Sequence, residues 1–347
     1  MSRRLQTLRG GACLLLVLYH VVGATSHSGL CLESGTLRLV SDWLAVIRMP
    51  MFAFLAGWVY AERPPLPAAI QPFIVTKVQR LLVPMVIVGT LFLLVQAVVP
   101  GVNGKVGPWP FVFPVAHFWF VESLFLILVA LALLERTMLQ TEVRFLVVFG
   151  GSLILYLWVP GTHMFSIDGA LFLLPYVLLG VGLGRFGEVR RLEAPACVAV
   201  LLGAFAMLTL LTDGPSDQVR HTATYFAMAT ILILLALGSR FTDDRLIVLG
   251  AYSYTIYLFH VFFSAESRIV LHQAGISNLP VLVIAGVTSG VLGPILLHRI
   301  VARYPLPSAL LLGKRSRATG GGVPVQPVHR ALPGQAAPTA LGDRRLG

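Results

Sequence analysis

The sequence predicts an all-α, polytopic membrane protein with about ten transmembrane helices and both termini in the cytoplasm. Of its 347 residues, 56% are hydrophobic and only 12% are charged, whereas soluble domains carry roughly 25% charged residues. The apolar residues fall into runs long enough to cross a bilayer, which takes about 17–25 residues. Lysines and arginines concentrate in alternate loops, as the positive-inside rule expects.

Ten apolar runs give the expected transmembrane elements in order: 8–26, 42–61, 80–99, 115–135, 144–160, 169–186, 194–212, 222–240, 247–268 and 279–303. With the N-terminus inside, the cytoplasmic segments hold most of the lysines and arginines. Five of the 26 fall in or near the opposite segments, namely Arg38, Arg48, Lys105, Arg220 and Arg268. Adding or removing one span would destroy this alternation, so the charge distribution supports ten spans.

The composition changes near the end of the last run. We expect residues 1–305 to form the membrane domain and residues 306–347, rich in Gly, Pro, Ala and Arg, to form a disordered, basic cytoplasmic tail. The net charge of +11 does not indicate nucleic-acid binding, because its excess lies in the tail and in short inside loops. The three cysteines lack metal-binding spacing, and no metal site is expected.

A histidine within the first run is the first candidate for chemistry. His20 follows Arg9 by eleven residues, which places the two about 16 Å apart along a helix axis. If Arg9 lies at the headgroup level, His20 lies roughly halfway into a hydrocarbon core of about 30 Å. An ionisable side chain at that depth is costly, which favours a functional role. His20 could act as a general base that deprotonates a hydroxyl. Alternatively, its side chain could form a hydrogen bond that only holds two helices together.

An arginine in the second run and a basic pair before the third are the next candidates. Arg48 lies beside Pro50, a residue that would kink the helix. A buried cation needs a partner, and Glu33, Asp42 or Glu122 could provide one. The other interpretation is an arginine that snorkels to the interface. Lys77 and Arg80 share one helix face and could hold a phosphate, although ordinary positive-inside anchoring explains them as well.

The fourth and ninth runs add further ionisable residues. His117 and Trp119 lie near the outer end of the fourth run with Glu122 deeper, and His260 lies deep in the ninth. Charged or titratable groups in several spans of one bundle predict a polar cavity that water can enter. Trp119 could also belong to an aromatic belt at the membrane interface.

These segments together resemble the membrane-bound acyltransferase 3 family, and in particular its fucose 4-O-acetylase-like, exopolysaccharide O-acetyltransferase branch. The resemblance extends from residue 5 to about residue 300. It is carried by the helix from Arg9 to His20, the stretch Met49-Pro50-Met51-Phe52 to Gly57, the basic pair before Leu-Leu-x-Pro, the His117/Trp119 helix and the closing Ser-Tyr-x-x-Tyr-Leu-x-His at 253–260.

The resemblance implies O-acylation, usually acetylation, of a carbohydrate or glycosylated acceptor. Acetyl-CoA or another acyl-CoA would be the cytoplasmic donor, and no permanently bound cofactor is expected. Lys77 departs from the family's pattern, which often has two arginines, and Arg48 stands where the branch often has histidine. The expected roles are catalytic for His20, Arg9 and Glu122; donor-binding for Lys77 and Arg80; and acceptor-binding for Arg48, His117, Trp119 and His260.

Transfer could be direct or pass through an acyl-histidine. A different class of function is a proton-coupled secondary transporter of a lipid-linked or small metabolite, with His20, Glu122 and His260 as a proton relay. The sequence has no two-fold hydropathy repeat, which argues against a transporter. A third alternative is a structural subunit of a polymer-export complex. In each case we expect a multi-pass protein of the plasma membrane.

Overall fold

The computed structural model of the protein describes residues 2–23, 25, 28–99, 109–158, 163–187, 203, 205, 220–239 and 241–314. The helices in this part of the chain are α1 (Arg3–Val22), α2 (Thr36–Glu62), α3 (Ile70–Lys77), α4 (Val83–Val98), α5 (Trp119–Leu134), α6 (Glu142–Leu157), α7 (Ile167–Arg185), α8 (Ala223–Gly238), α9 (Asp244–Gln273), α10 (Leu279–Val301) and α11 (Pro305–Leu312). A π-helical turn, Val78–Leu82, joins α3 to α4.

Seven helical stretches of the described residues are long and apolar enough to cross a membrane. They are α1, α2, Pro67–Val98, Ala116–Leu134, Met164–Arg185, α9 and α10. Helix α8 is apolar but has 16 residues. The predicted run 194–212 lies almost entirely outside the described residues, and each of the other predicted spans overlaps a helix. The all-helical, polytopic class is confirmed, whereas the number ten and the cytoplasmic termini stay predictions.

Several helices extend beyond the predicted limits. Helix α1 begins at Arg3 because the Ser2 hydroxyl caps it by accepting from the Leu5 backbone N–H at 3.4 Å. Helix α2 begins at Thr36 and continues through Pro50. The predicted tail, 306–347, begins inside helix α11, and its residues from 315 onward lie outside the described part of the chain.

Helices α2 and α7 cross at two glycines. A Cβ atom on Gly57 would lie 1.9 Å from the carbonyl oxygen of Val177, and one on Gly180 would lie 2.0 Å from that of Phe54. Small residues at such points let two helix backbones touch, which is how helices commonly associate in membranes. The crossing therefore holds α2, and with it Arg48, in a definite position.

Helices α1 and α9 approach each other in the same way. A Cβ atom on Gly10 would lie 1.9 Å from the carbonyl oxygen of Leu246, and one on Gly250 would lie 2.4 Å from that of Gln6. The same pair of helices carries His20 and His260. The close backbone contact therefore brings two of the predicted functional residues to one interface.

We expect Gly57→Ala to lower the stability of the protein by about 1–3 kcal/mol, because the added methyl group forces two packed backbones apart. Thermal unfolding of the purified protein in detergent measures this effect. The matched control is Gly151→Ala on α6, where a Cβ would meet nothing within 4 Å and alanine's helix propensity favours the folded state by up to about 1 kcal/mol. A Gly57→Ala variant as stable as the wild type would show that the α2–α7 contact is loose.

A buried polar network ties α2 and α7 to the segment that follows α5. Arg185 Nη2 lies 2.8 Å from Glu135 Oε2, and the Tyr60 hydroxyl donates to the same oxygen at 2.9 Å. Gln140 Nε2 donates to the other carboxylate oxygen at 2.9 Å, and Arg185 Nη1 donates to the Leu139 carbonyl at 3.0 Å. The Glu135 carboxylate is thus bonded at both oxygens, as a buried charge requires.

Candidate functional site

Three histidines from separate parts of the chain meet inside the bundle. His20 lies on α1, His260 on α9, and His117 in the 3₁₀ turn Ala116–Phe118 that leads into α5. Their ring centroids are 4.7 Å apart for His20 and His260, 5.1 Å for His117 and His260, and 5.6 Å for His20 and His117. His117 and His260 are buried and His20 is partly buried. We call this group the histidine cluster.

Backbone hydrogen bonds decide which nitrogen of two rings is basic. His20 Nδ1 lies 2.9 Å from the Leu16 carbonyl oxygen, and His260 Nδ1 lies 2.9 Å from that of Ile256. A carbonyl oxygen only accepts, so Nδ1 carries the proton and Nε2 holds the lone pair in each neutral ring. Nε2 of His260, like Nε2 of His117, has no hydrogen-bond partner among the described residues. The lone pair on His260 Nε2 is therefore available to accept a hydrogen bond.

Within the described ranges, no group of three or more His, Cys, Asp or Glu side chains is arranged to hold a metal ion. Two of the three rings direct Nδ1 to their own helix backbone, which leaves one nitrogen of each for other partners. In each of these two rings, Nε2 is therefore the nitrogen that can exchange a proton with a hydroxyl.

Arg48 lies against the histidine cluster. Its Cζ atom is 3.5 Å from the centre of the Tyr19 ring, a cation–π contact with the neighbour of His20. The Tyr19 ring in turn lies 5.3 Å, centre to centre, from the ring of His20. Arg48 is 7% exposed, and its Nε and Nη1 atoms have no hydrogen-bond partner in the described part of the chain. It does not snorkel to the interface.

The carboxylates that the sequence suggested as partners of Arg48 do not pair with it. Asp42 accepts from Arg38 Nε at 2.8 Å, one helical turn away on the same helix. Glu33 is exposed before α2 begins. No described acidic residue lies within ion-pair distance of Arg48.

Glu122, the third of these carboxylates and a predicted catalytic residue, bonds to Ser166. The Ser166 hydroxyl donates to Glu122 Oε2 at 2.5 Å, and the Ser123 hydroxyl donates to the Ser166 carbonyl at 2.9 Å. Phe165 and Ser166 both have left-handed backbones, with φ of 51° and 53°, and this tight turn before α7 directs Ser166 onto α5. The ring of His20 is oriented by a backbone carbonyl of its own helix instead.

A cavity of about 410 Å³ collects four cationic side chains. Arg9, Arg63, Lys77 and Arg80 line it together with aromatic and aliphatic residues, and none of the described residues that line it is acidic. We call it the basic cavity. Arg9, predicted as a catalytic residue about 16 Å along the helix from His20, lines this cavity together with Lys77 and Arg80.

A π-helical turn positions the basic pair. Val78–Leu82 widens the helix between Lys77 and α4, and the Tyr254 hydroxyl donates to the Leu81 carbonyl at 3.1 Å. Gly313 closes the outer side, where a Cβ would lie 2.7 Å from Arg80 Cα. Isolated π-helical turns occur frequently at functional sites. Here the turn places both cations on the wall of the basic cavity.

Tyr257 connects the basic cavity with the histidine cluster. Its side chain lines the cavity, its hydroxyl donates to the His117 carbonyl, and its ring centroid lies 5.4 Å from that of His117. Phe52 and Phe120 also line the cavity, and the Phe120 ring centroid lies 5.7 Å from that of Tyr257. Tyr257 therefore contacts both the basic cavity and the histidine cluster.

The structure brings His20, His117, His260 and Arg48 together and does not place Trp119 among them. Trp119 packs against Gly169, where a Cβ would lie 2.6 Å from its Cε3 atom. Sequence reasoning missed three contributors, namely Tyr19, Arg63 and Tyr257. In the sequence, Arg63 cannot be distinguished from the other basic residues that the positive-inside rule expects in cytoplasmic loops. The two tyrosines lie within the segments that carry the histidines.

Comparison with known protein families matches residues 3–299 to the acyltransferase domain of the acyltransferase 3 family. A search of curated proteins and a search of solved structures each found no match. The match covers nearly the whole chain, including every helix that carries the histidine cluster and the basic cavity. The chain therefore belongs to the acyltransferase 3 family and is a membrane acyltransferase.

Proposed function

We propose that the protein transfers an acetyl or other short acyl group from cytoplasmic acyl-CoA to a hydroxyl of a carbohydrate or glycosylated acceptor at the plasma membrane. The observation that carries the proposal is the adjacency of the basic cavity and the histidine cluster, which share Tyr257 as a wall. One compartment has the charges that a phosphorylated donor needs. The other has the basic nitrogen that activation of a hydroxyl needs.

The basic cavity suits the donor. Acyl-CoA carries several phosphates, and arginine binds phosphate oxygens through paired N–H groups while lysine acts as a point charge. Arg9, Arg63, Lys77 and Arg80 supply four positive charges, and none of the described lining residues is acidic and would repel the phosphates. The aromatic and aliphatic walls suit the less polar parts of the donor. The thioester end would then point past Tyr257 toward His20.

His20 is the proposed general base. Its Nε2 atom takes the proton of the acceptor hydroxyl while the hydroxyl oxygen attacks the thioester carbonyl carbon. The new C–O bond forms, the C–S bond breaks, and the proton passes from His20 to the departing CoA thiolate. The hydrogen bond between Nδ1 and the Leu16 carbonyl, at 2.9 Å, keeps the ring in the tautomer that this step requires.

Replacing both Lys77 and Arg80 with glutamine tests the donor site. We expect the KM for acetyl-CoA to rise at least tenfold with little change in kcat, because each charge-assisted hydrogen bond contributes about 1.5–3 kcal/mol and the phosphates lie far from the reacting carbonyl. The measurement is CoA release by the purified protein in nanodiscs over a range of acetyl-CoA concentrations.

The matched control is Arg136→Gln, which removes an exposed cation that does not line the basic cavity and should leave the KM unchanged. An unaltered KM in the Lys77/Arg80 double variant would contradict the donor site. A wild-type protein that neither binds acetyl-CoA nor releases CoA would refute the acyl-CoA donor itself. Transport of a metabolite would then become the leading hypothesis.

A further inference from the structure

Two arginines of the described chain that have little exposed surface have opposite surroundings. The Arg185 side chain, 10% exposed, is neutralised by Glu135 at 2.8 Å. Arg48, 7% exposed, has no acidic side chain of the described residues within ion-pair distance. Removing a cation from water costs several kcal/mol unless an opposite charge and hydrogen bonds compensate. Glu135 compensates the charge of Arg185, whereas no acidic residue of the described chain compensates the charge of Arg48.

Tyr19 compensates only part of this cost. The ring lies 3.5 Å from Arg48 Cζ and stabilises the cation through its π face. The ring face leaves Nε and Nη1 without a hydrogen-bond partner among the described residues. A buried arginine with two unbonded nitrogens is suited to a ligand that brings oxygen atoms and negative charge.

Aromatic rings and a second arginine lie around Arg48. Arg220 lies close enough to interact electrostatically with Arg48, and its own guanidinium lies 5.5 Å over the Phe172 ring. Tyr225 lies nearby as well. Aromatic faces pack against the apolar faces of sugar rings, so this setting suits an anion that is carried on a sugar.

We propose that Arg48 binds a fixed negative charge of the acceptor, so that the acceptor is an acidic carbohydrate that carries a carboxylate or a phosphate. The inference rests on the proposed transfer to a hydroxyl and specifies its substrate class. The Tyr19 ring that contacts Arg48 lies 5.3 Å, centre to centre, from the ring of His20, so one acceptor molecule can place its anion at Arg48 and its reacting hydroxyl at His20. Binding of the anion supplies the missing countercharge and orients the hydroxyl toward His20 Nε2.

Thermal unfolding of the full-length protein in nanodiscs tests this inference without turnover or acetyl-CoA. The variants are Arg48→Met, which removes the charge while keeping much of the volume, and Arg185→Met as the matched structural arginine. Without ligand, we expect Arg48→Met to unfold no lower than the wild type and Arg185→Met to unfold clearly lower. A midpoint for Arg48→Met as low as that of Arg185→Met would overturn the proposal.

The probes are glucuronate and galacturonate, glucose 6-phosphate, and their neutral parents glucose and galactose, all at matched ionic strength. A ligand that binds only the folded state raises the midpoint as its concentration rises. We expect an acidic sugar to raise the midpoint of the wild type but not that of Arg48→Met, and the neutral sugars to raise neither. A shift by the uronates identifies a carboxylate, and a shift by the sugar phosphate identifies a phosphate.

Equal shifts by acidic and neutral sugars, equal shifts in both proteins, or no shift of the wild type by any acidic sugar would each refute the inference. In the last case, we would infer that Arg48 interacts with negative charge that develops only on the reacting groups during transfer. The donor experiment on Lys77 and Arg80 is independent of these results, because it reads CoA release. Failure of the acidic-acceptor inference and failure of acyl-CoA transfer are therefore distinguishable.

Discussion

His20→Ala is expected to reduce acyl transfer by about 10²–10⁴-fold, the range that a positioned general base contributes, without unfolding the protein. The loss follows because Nε2 of His20 is the proposed acceptor of the hydroxyl proton. The measurement is CoA release from acetyl-CoA in nanodiscs. Thermal unfolding of the same sample should show that the variant is folded.

His272→Ala is the control, because His272 is exposed in the last turn of α9 and should be dispensable. His20→Gln keeps a hydrogen-bonding side chain but cannot carry the proton, so it should lose activity as His20→Ala does. If His20→Ala retained most of the activity while His260→Ala lost it, the base would be His260, whose ring centre lies 4.7 Å away.

Arg185→Met is expected to destabilise the protein by about 3–5 kcal/mol, because it leaves the Glu135 carboxylate buried without its cation. The Glu135 side chain is 4% exposed, so water cannot replace the arginine. Reversible unfolding in mixed micelles, followed by the loss of helical signal, measures the change. Tyr60 belongs to both the polar network and the wall of the basic cavity. We therefore also expect Arg185→Met to bind acyl-CoA more weakly than the wild type.

Two variants make this result specific. Arg3→Met removes an exposed arginine from its ion pair with Asp244, whose side chains are 70% and 80% exposed, and exposed pairs contribute at most about 1 kcal/mol. Adding Glu135→Gln to Arg185→Met removes the uncompensated charge and should recover part of the lost stability. An Arg185→Met protein as stable as Arg3→Met would contradict a stabilising role for the Arg185–Glu135 ion pair.

Much of the architecture follows from local properties of the chain. Length and polarity of each apolar run predicted the helices, because a helix in lipid must satisfy its own backbone and cover itself with apolar side chains. Since an ionisable group is costly at such depth, the positions of His20, Arg48, His117 and His260 within apolar runs were enough to single them out. The structure places these four side chains together. The roles assigned to them remain proposals.

The sequence by itself determined the helical class, the order of the spans and the family resemblance, since these depend on neighbouring residues. Tertiary structure alone decided that three histidines meet, that Arg9 faces the basic cavity, and that Glu122 bonds to Ser166. It also decided that Arg48 stacks on Tyr19 without a carboxylate in the described chain. These partners depend on where helices cross, and the crossings depend on close backbone contacts between residues far apart in sequence.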